Sequence, residues 1–178
     1  MRVFTDSSWG KLNNVETVNG NLVFLVDSQG NACLIDWQSY KLAIPVSSPL
    51  AGEAVAALDG YNKIPWIRSL AEDLGFGKLP ATMMVDSRSL CDAVKATTTL
   101  KDKRAMVWIC ALRRAPDIAA EDLKIKWCDA MSQVADPRTK GGANPDLLRL
   151  VLQLGQLNIV GVEYTELMSR RKECDQSA

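Results

Sequence analysis

Histidine is absent from all 178 residues, and that one absence removes more chemistry than any other feature of the composition. Ser-His-Asp and Cys-His nucleophile pairs, HExxH zinc sites and imidazole general bases all need a residue this chain does not have. An excess of charge is absent too. The 21 Lys+Arg balance 21 Asp+Glu, so bulk electrostatics gives no sign of a nucleic-acid binder, whose phosphate contacts normally leave a basic signature. A neutral total is still compatible with a local basic patch.

The five cysteines are odd in number and include no C-x-x-C pair, which argues against a disulfide framework and against a thiolate zinc site. Cys33, Cys91, Cys110 and Cys128 read as small buried apolar residues in a reducing compartment. No apolar run approaches the roughly 20 residues that cross a bilayer; the stretch 147–154 is broken by Arg149 and Gln153. No membrane partner is expected. The first six residues enter a strand pattern directly, without the apolar region and small-residue cleavage site of a secretory signal, so the expectation is an intracellular chain or a segment of a larger one. No Gly-rich loop follows the first strand, which leaves a small-molecule-binding domain of the phosphate-loop kind unsupported. Chemistry at neutral pH is left to carboxylates, lysines, a metal or a cofactor.

What is present, 47% hydrophobic and 24% charged residues, suits one globular core. Residues 2–5 read as a short strand leading into Asp6, followed by a polar loop over 7–19. Two β-rich runs, 21–26 and 32–37, flank a Gly30-containing turn and form a hairpin. Ser48 is a plausible N-cap and Pro49 a first helical residue, opening a long helical region that Pro65 is predicted to kink or divide before Gly75 ends it. Residues 81–85 form a strand ending at Asp86, 87–96 a helix, and 103–115 a helix by the spacing of Met106, Ile109, Cys110 and Leu112. Residues 123–128 alternate apolar and basic and make a fifth strand, an edge because Lys124 and Lys126 share a face. Asp136-Pro137 is a helix-start signal, Gly141-Gly142 a break, and Pro145 opens a helix through about residue 157. The charged tail 163–178, with Arg170-Arg171-Lys172, reads as a helix that frays. Three strands followed by alternating helix and strand give an α/β domain, a mixed five-stranded sheet flanked by helices.

Asp6 and Asp86 then end the first and fourth strands; if these are neighbours, both carboxylates project from one end of the sheet, where open α/β sheets place their sites. Glu53 and Asp136 are positioned to close the cluster. Four crowded carboxylates repel unless neutralised, and Mg²⁺, an oxygen-seeking ion that keeps exchangeable waters, is the natural counter-ion. Taken singly, each acid reads better as a turn residue, a solvated helix charge or a cap than as a ligand, and 21 acids offer such coincidences.

Over most of residues 4–140 the chain resembles, in order and spacing, the ribonuclease H domain of copia-type LTR retrotransposon polyproteins. The matching pieces are Phe4-Thr5-Asp6-Ser7-Ser8-Trp9-Gly10, Ile35-Asp36-Trp37-Gln38-Ser39, Ser47-Ser48-Pro49-Leu50-Ala51-Gly52-Glu53-Ala54, Trp66-Ile67-Arg68-Ser69-Leu70 with Leu74-Gly75, Met84-Val85-Asp86-Ser87-Arg88-Ser89-Leu90, and Gln133-Val134-Ala135-Asp136-Pro137-Arg138-Thr139-Lys140. The resemblance implies a ribonuclease H-like fold, with the first three strands antiparallel, the fourth and fifth parallel, and an extra C-terminal helix. It implies that Asp6, Glu53, Asp86 and Asp136 are catalytic and bind two Mg²⁺ ions, with Mn²⁺ as substitute. It further implies endonucleolytic cleavage of the RNA strand of RNA/DNA hybrids, alongside a reverse transcriptase domain of the same polyprotein, in the cytoplasm or in the nucleus during element replication.

Substrate contacts are implied for Ser7, Ser8, Gln38, Ser39, Ser87, Arg88 and Lys140. The chain departs from the family at Ser87, where Asn is usual, at 101–106, which lacks the family's histidines, and at Pro137, which is expected to turn Asp136 slightly away. The domain is expected to occupy 1–143, with 144–178 a helical extension packed on it or trailing from it. These departures and the neutral charge motivate an alternative, a catalytically inactive module that supports a reverse transcriptase or binds a partner. Trp37, Trp66, Trp108 and Trp127 are expected mainly in the core and Trp9 beside the site, and the Arg113-Arg114 and Lys101/Lys103/Arg104 clusters are expected to be solvated helix ends.

Overall fold

Alternation of apolar side chains fixes the sheet in the computed structural model, which describes residues 1–9, 16–120 and 122–157. Arg2–Ser8 (β1), Val18–Val26 (β2) and Ala32–Lys41 (β3) form an antiparallel meander. Ala81–Val85 (β4) lies parallel to β1, and Leu123–Trp127 (β5) parallel to β4. The order is β3-β2-β1-β4-β5, the mixed sheet the sequence suggests, with β5 and its exposed lysines at one edge.

Neighbouring residues of each strand serve opposite faces. On one face Val3, Val23, Met83 and Val85 meet Ile64 and Ile67 of α1 (Pro49–Asp73), Leu90 of α2 (Arg88–Lys95) and Ile109 and Leu112 of α3 (Lys103–Arg114). A short α4 (Pro116–Ala119) leads to β5. On the other face Phe4, Leu22 and Phe24 pack with Val134 and Ala135, and with Leu147 and Val151 of α5 (Asp146–Leu154) and Leu157 beyond it. Residues 146–157 therefore share the sheet's core. None of the described helices is long and apolar enough to cross a membrane.

Two glycines bring α1 against β1. A Cβ at Gly60 would stand 2.5 Å from Thr5 Cγ2, and one at Gly52 would stand 2.7 Å from Ser7 Oγ. Ser48 caps the helix by accepting from the Ala51 N–H at 3.2 Å.

Several sequence expectations need correction. Pro65 does not divide α1, which runs unbroken. Its ring is exposed while Ile64 and Ile67 are buried, so the missing backbone bond faces solvent and burial on both sides of the proline holds the helix in one piece. The strands outrun their apolar patterns because polar residues at their ends still pair: β1 continues past Asp6 to Ser8, and β3 reaches Lys41. Asp136-Pro137 opens a single 3₁₀ turn, Asp136–Arg138, instead of a helix. The helix after Pro145 stops at Leu154 because Gly155 takes a left-handed conformation, φ 61°. Residues 10–15 of the polar loop expected over 7–19, and the charged tail expected over 163–178 with Arg170-Arg171-Lys172 and Cys174, lie outside the described residues.

The tryptophans are not core residues. Trp9, Trp37, Trp66 and Trp127 are exposed, Trp66 at 64%, and only Trp108 packs partly into the core. Large amphipathic rings at a sheet edge or helix rim keep one face wet; Trp66 borders an apolar groove with Leu70, Leu74 and Phe76. Among the cysteines Cys91 and Cys128 are buried, whereas Cys33 is exposed and Cys110 half-buried. Burial pushes the Cys128 thiol up to about 12, which leaves it inert. Arg113 is no free helix end: its guanidinium donates to the Ala93 carbonyl at 2.6 Å and 3.1 Å, tying down the end of α2.

Candidate metal centre

Register explains how acids 80 residues apart come together. Phe4 pairs with Met84 in the parallel β1–β4 ladder, and Asp6 and Asp86 each stand two residues further on, so both point to the same face at the same end. The third carboxylate arrives from the opposite side of the sequence. Gln133 donates through Nε2 to the Thr5 carbonyl at 2.9 Å, and the 3₁₀ turn beginning at Asp136 lies against Gly20, the antiparallel partner of Asp6. A Cβ at Gly20 would meet Thr139 Cγ2 at 2.8 Å and Arg138 Cβ at 2.9 Å; only a glycine lets the turn come this close. Carboxylate oxygens of Asp6, Asp86 and Asp136 consequently lie within 4.8 Å of one another. Pro137 does not turn Asp136 out of the cluster.

Glu53 enters from the first turns of α1, seated by the contact of Gly52 with Ser7. Its Oε2 is buried with no hydrogen-bond partner among the described residues. Burial, and then the charges of Asp6 and Asp86, push the Glu53 carboxyl up to about 9. Burial and the Asp6 charge raise Asp86 as well, and burial raises Asp136 against the lowering effect of its Lys140 hydrogen bond. An acid held neutral by burial and then by its neighbours' charge, with one oxygen unsatisfied among the described residues, sits where a bound cation would relieve both.

Among the described residues one cation, Lys140, reaches these acids. Lys140 Nζ stands 2.7 Å from Asp136 Oδ1, 3.2 Å from Asp6 Oδ1 and 3.9 Å from Asp86 Oδ2. Burial works against the ammonium, but the Asp136 hydrogen bond and the surrounding acids hold it above the ordinary lysine range. Thr139 Oγ1 donates to the other Asp6 oxygen in a short hydrogen bond. Asp6 itself is fully buried. The donor set is all oxygen, mostly carboxylate, as hard divalent cations require, and the position of the ammonium marks where positive charge is favoured. The residues present therefore fit Mg²⁺ or Mn²⁺.

The other candidate residues fall into two groups. Ser7 and Ser8 are buried, and the Ser7 hydroxyl donates to Asn19 Oδ1 at 2.9 Å; both face the interior. Gln38 and Ser39 are exposed on β3, and Ser39, in the cross-strand row of Gly20 and Asp6, donates to the Arg138 carbonyl. Ser87 caps α2 by accepting from the Leu90 N–H at 3.2 Å. Arg88 lies over the Trp127 ring, 4.7 Å from its centroid, and Trp127 Nε1 donates to the Asp86 carbonyl at 3.0 Å. Thr139 and Trp127 thus brace two of the acids. In the sequence Thr139 shows only as a member of the matching piece that follows Asp136, with no role attached, and Trp127 reads there as core.

A mixed sheet of this order, with acids at the C-terminal ends of two adjacent parallel strands, is the ribonuclease H-like fold. Solved structures agree. LC11-RNase H1, isolated from compost by a metagenomic approach, superposes with a TM-score of 0.58 at 13% identity, covering 79% of this chain and 92% of that one. RNase H1 of the halophilic archaeon Halobacterium salinarum gives 0.51 at 16% identity, covering 78% and 92%. A foamy viral protease-reverse transcriptase in complex with an RNA/DNA hybrid gives 0.50 at 12% identity over 79% of this chain, which spans 19% of that protein. No protein-family model and no curated protein matches the chain.

Proposed function

We propose that the chain is a metal-dependent ribonuclease H that hydrolyses the RNA strand of RNA/DNA hybrids, in the setting of copia-type retroelement reverse transcription. The observation that carries this reading is the convergence of Asp6, Asp86 and Asp136 within 4.8 Å, with Glu53, whose Oε2 has no partner among the described residues, near enough to feel the charges of Asp6 and Asp86. Further support comes from the fold itself, since LC11-RNase H1 has also been solved in complex with an RNA/DNA hybrid.

Asp6, Glu53, Asp86 and Asp136 would hold two Mg²⁺ ions, or Mn²⁺ in their place. When bound, such a pair supplies an acidified water and neutralises charge on the leaving oxygen. The chain's own residues do the rest. Asp6, buried within β1, gives the site a rigid floor; Asp86 and Asp136, half-buried, face the side a phosphodiester would approach. Thr139 and Trp127 fix the orientation of Asp6 and the backbone of Asp86. Gln38, Ser39, Ser87, Arg88 and Lys140 offer polar and basic groups around the cluster for the phosphates and 2′-hydroxyls of the hybrid, whereas Ser7 and Ser8 contribute from inside. A reverse transcriptase domain is the partner this reading supplies.

The inactive-module alternative, motivated in the sequence by Ser87, the missing histidines and the neutral charge, is joined by one structural observation, the ammonium of Lys140 among the acids. A cleavage assay decides between them. With Mg²⁺, the chain is expected to cut a labelled hybrid and to spare double-stranded DNA, and Asp86→Asn is expected to lose more than about a hundredfold of rate, beyond the range for losing a supporting contact. Equal rates for the two proteins, or no cutting by either, rejects the nuclease reading.

A further inference from the structure

We propose that Lys140 is a displaceable counter-ion: its ammonium holds the carboxylate cluster together without metal and must leave when divalent metal binds. The inference rests on the metal-site reading above and adds to it a residue that sets how tightly metal is held.

Three observations lead to it. The ammonium contacts Asp6 and Asp136 and stands near Asp86, at 3.2, 2.7 and 3.9 Å, so it occupies the space between the same oxygens a metal would share. Among the described residues one positive charge faces the carboxylates of Asp6, Asp86 and Asp136, which leaves the cluster under-neutralised; a divalent ion brings more charge to the same oxygens and wins on electrostatics. Finally, the side chain has somewhere to go. It is 24% exposed, and Gly141 and Gly142, which follow it, are exposed, with no atom within 4 Å of where their Cβ atoms would be. Thr139, by contrast, is buried and bonded to Asp6. The turn is anchored through Thr139 and Asp136 while the lysine arm alone is free to swing out.

Mn²⁺ titration calorimetry on the wild-type chain and on Lys140→Met tests this, together with thermal unfolding in chelator and in saturating Mn²⁺. Lys140→Met is expected to bind Mn²⁺ about tenfold more tightly, the factor that corresponds to removing one competing charge-assisted hydrogen bond. In chelator the variant is expected to melt below wild type, with the gap closed by Mn²⁺. Lys140→Arg, which keeps the charge, is expected to stay within a few-fold of wild type. Should Lys140→Met fail to fold, the wild-type chain still reports: the Lys140 side-chain ammonium resonance is expected to shift as Mg²⁺ saturates the site. Binding by both proteins with equal affinity, or an ammonium resonance that ignores saturating Mg²⁺, overturns the counter-ion while leaving the metal site standing. No Mn²⁺ binding by either protein overturns both.

Discussion

At the scale of single residues, the acids are distinguished by what surrounds them. Glu53 keeps its proton in the folded chain up to about pH 9, against an ordinary value of 4.5, and Asp86 and Asp136 shift in the same direction. Between those pH values the folded state binds more protons than the unfolded one, so stability falls as pH rises. The Glu53 contribution is complete below about pH 4.5 and gone above about 9. Urea unfolding in chelator is expected to show this decline, and Glu53→Gln to flatten it; stability that rises with pH across the window contradicts the assignment. Thr139→Val removes a donor from a fully buried carboxylate and is expected to cost about 1–3 kcal/mol in equilibrium denaturation, the range for leaving a buried polar group short of a partner. These two residues differ in legibility. Glu53 stands out once Asp6 and Asp86 are placed, whereas Thr139 matters only through a contact across 133 positions that no local pattern encodes.

At the scale of elements, α1 and β1 carry the site because glycine lets them touch. Helix propensity alone makes Gly60→Ala stabilising by about 0.8–1 kcal/mol. The added Cβ, however, would meet Thr5 Cγ2 at 2.5 Å, and overpacking of a tight core costs about 1–3 kcal/mol. The second effect wins, so Gly60→Ala is expected to lower the melting temperature; a rise would mean that helix and strand are less closely packed than described. The strands at 81–85 and 123–127 are visible in the sequence because both are short alternating runs with clear ends. Pro65 misleads because the penalty for a helical proline depends on whether the carbonyl it leaves without a donor, that of Tyr61 four residues earlier, meets water, which the packing of Ile64 and Ile67 into the core decides. The tryptophans mislead for a related reason, since ring size signals the interior while ring polarity allows the rim. Trp127, bonded to the Asp86 carbonyl and covered by Arg88, shows what such a ring does there.

At the scale of the whole molecule, the sheet is a device for bringing distant carboxylates together. Two parallel neighbours carry Asp6 and Asp86 to one rim, a helix across one face delivers Glu53, and a turn from the far end of the domain, seated on Gly20, delivers Asp136. The mixed sheet is legible in the sequence, and so are the positions of Asp6, Asp86 and Asp136 as candidates, which the fold brings within 4.8 Å of one another. The lysine among them is legible as a candidate substrate contact and not as a partner of the acids, because that placement comes from three partners that lie 4, 54 and 134 positions away.

The central claim is that these carboxylates share divalent cations. Crystals of the chain with an RNA/DNA hybrid, soaked in Mn²⁺ and measured at the manganese absorption edge, test it most directly. Two anomalous peaks about 4 Å apart, bounded by Asp6, Glu53, Asp86 and Asp136 with Lys140 Nζ moved out from between them, are expected. A cluster without anomalous density, its ammonium still bonded to Asp136, would contradict the account.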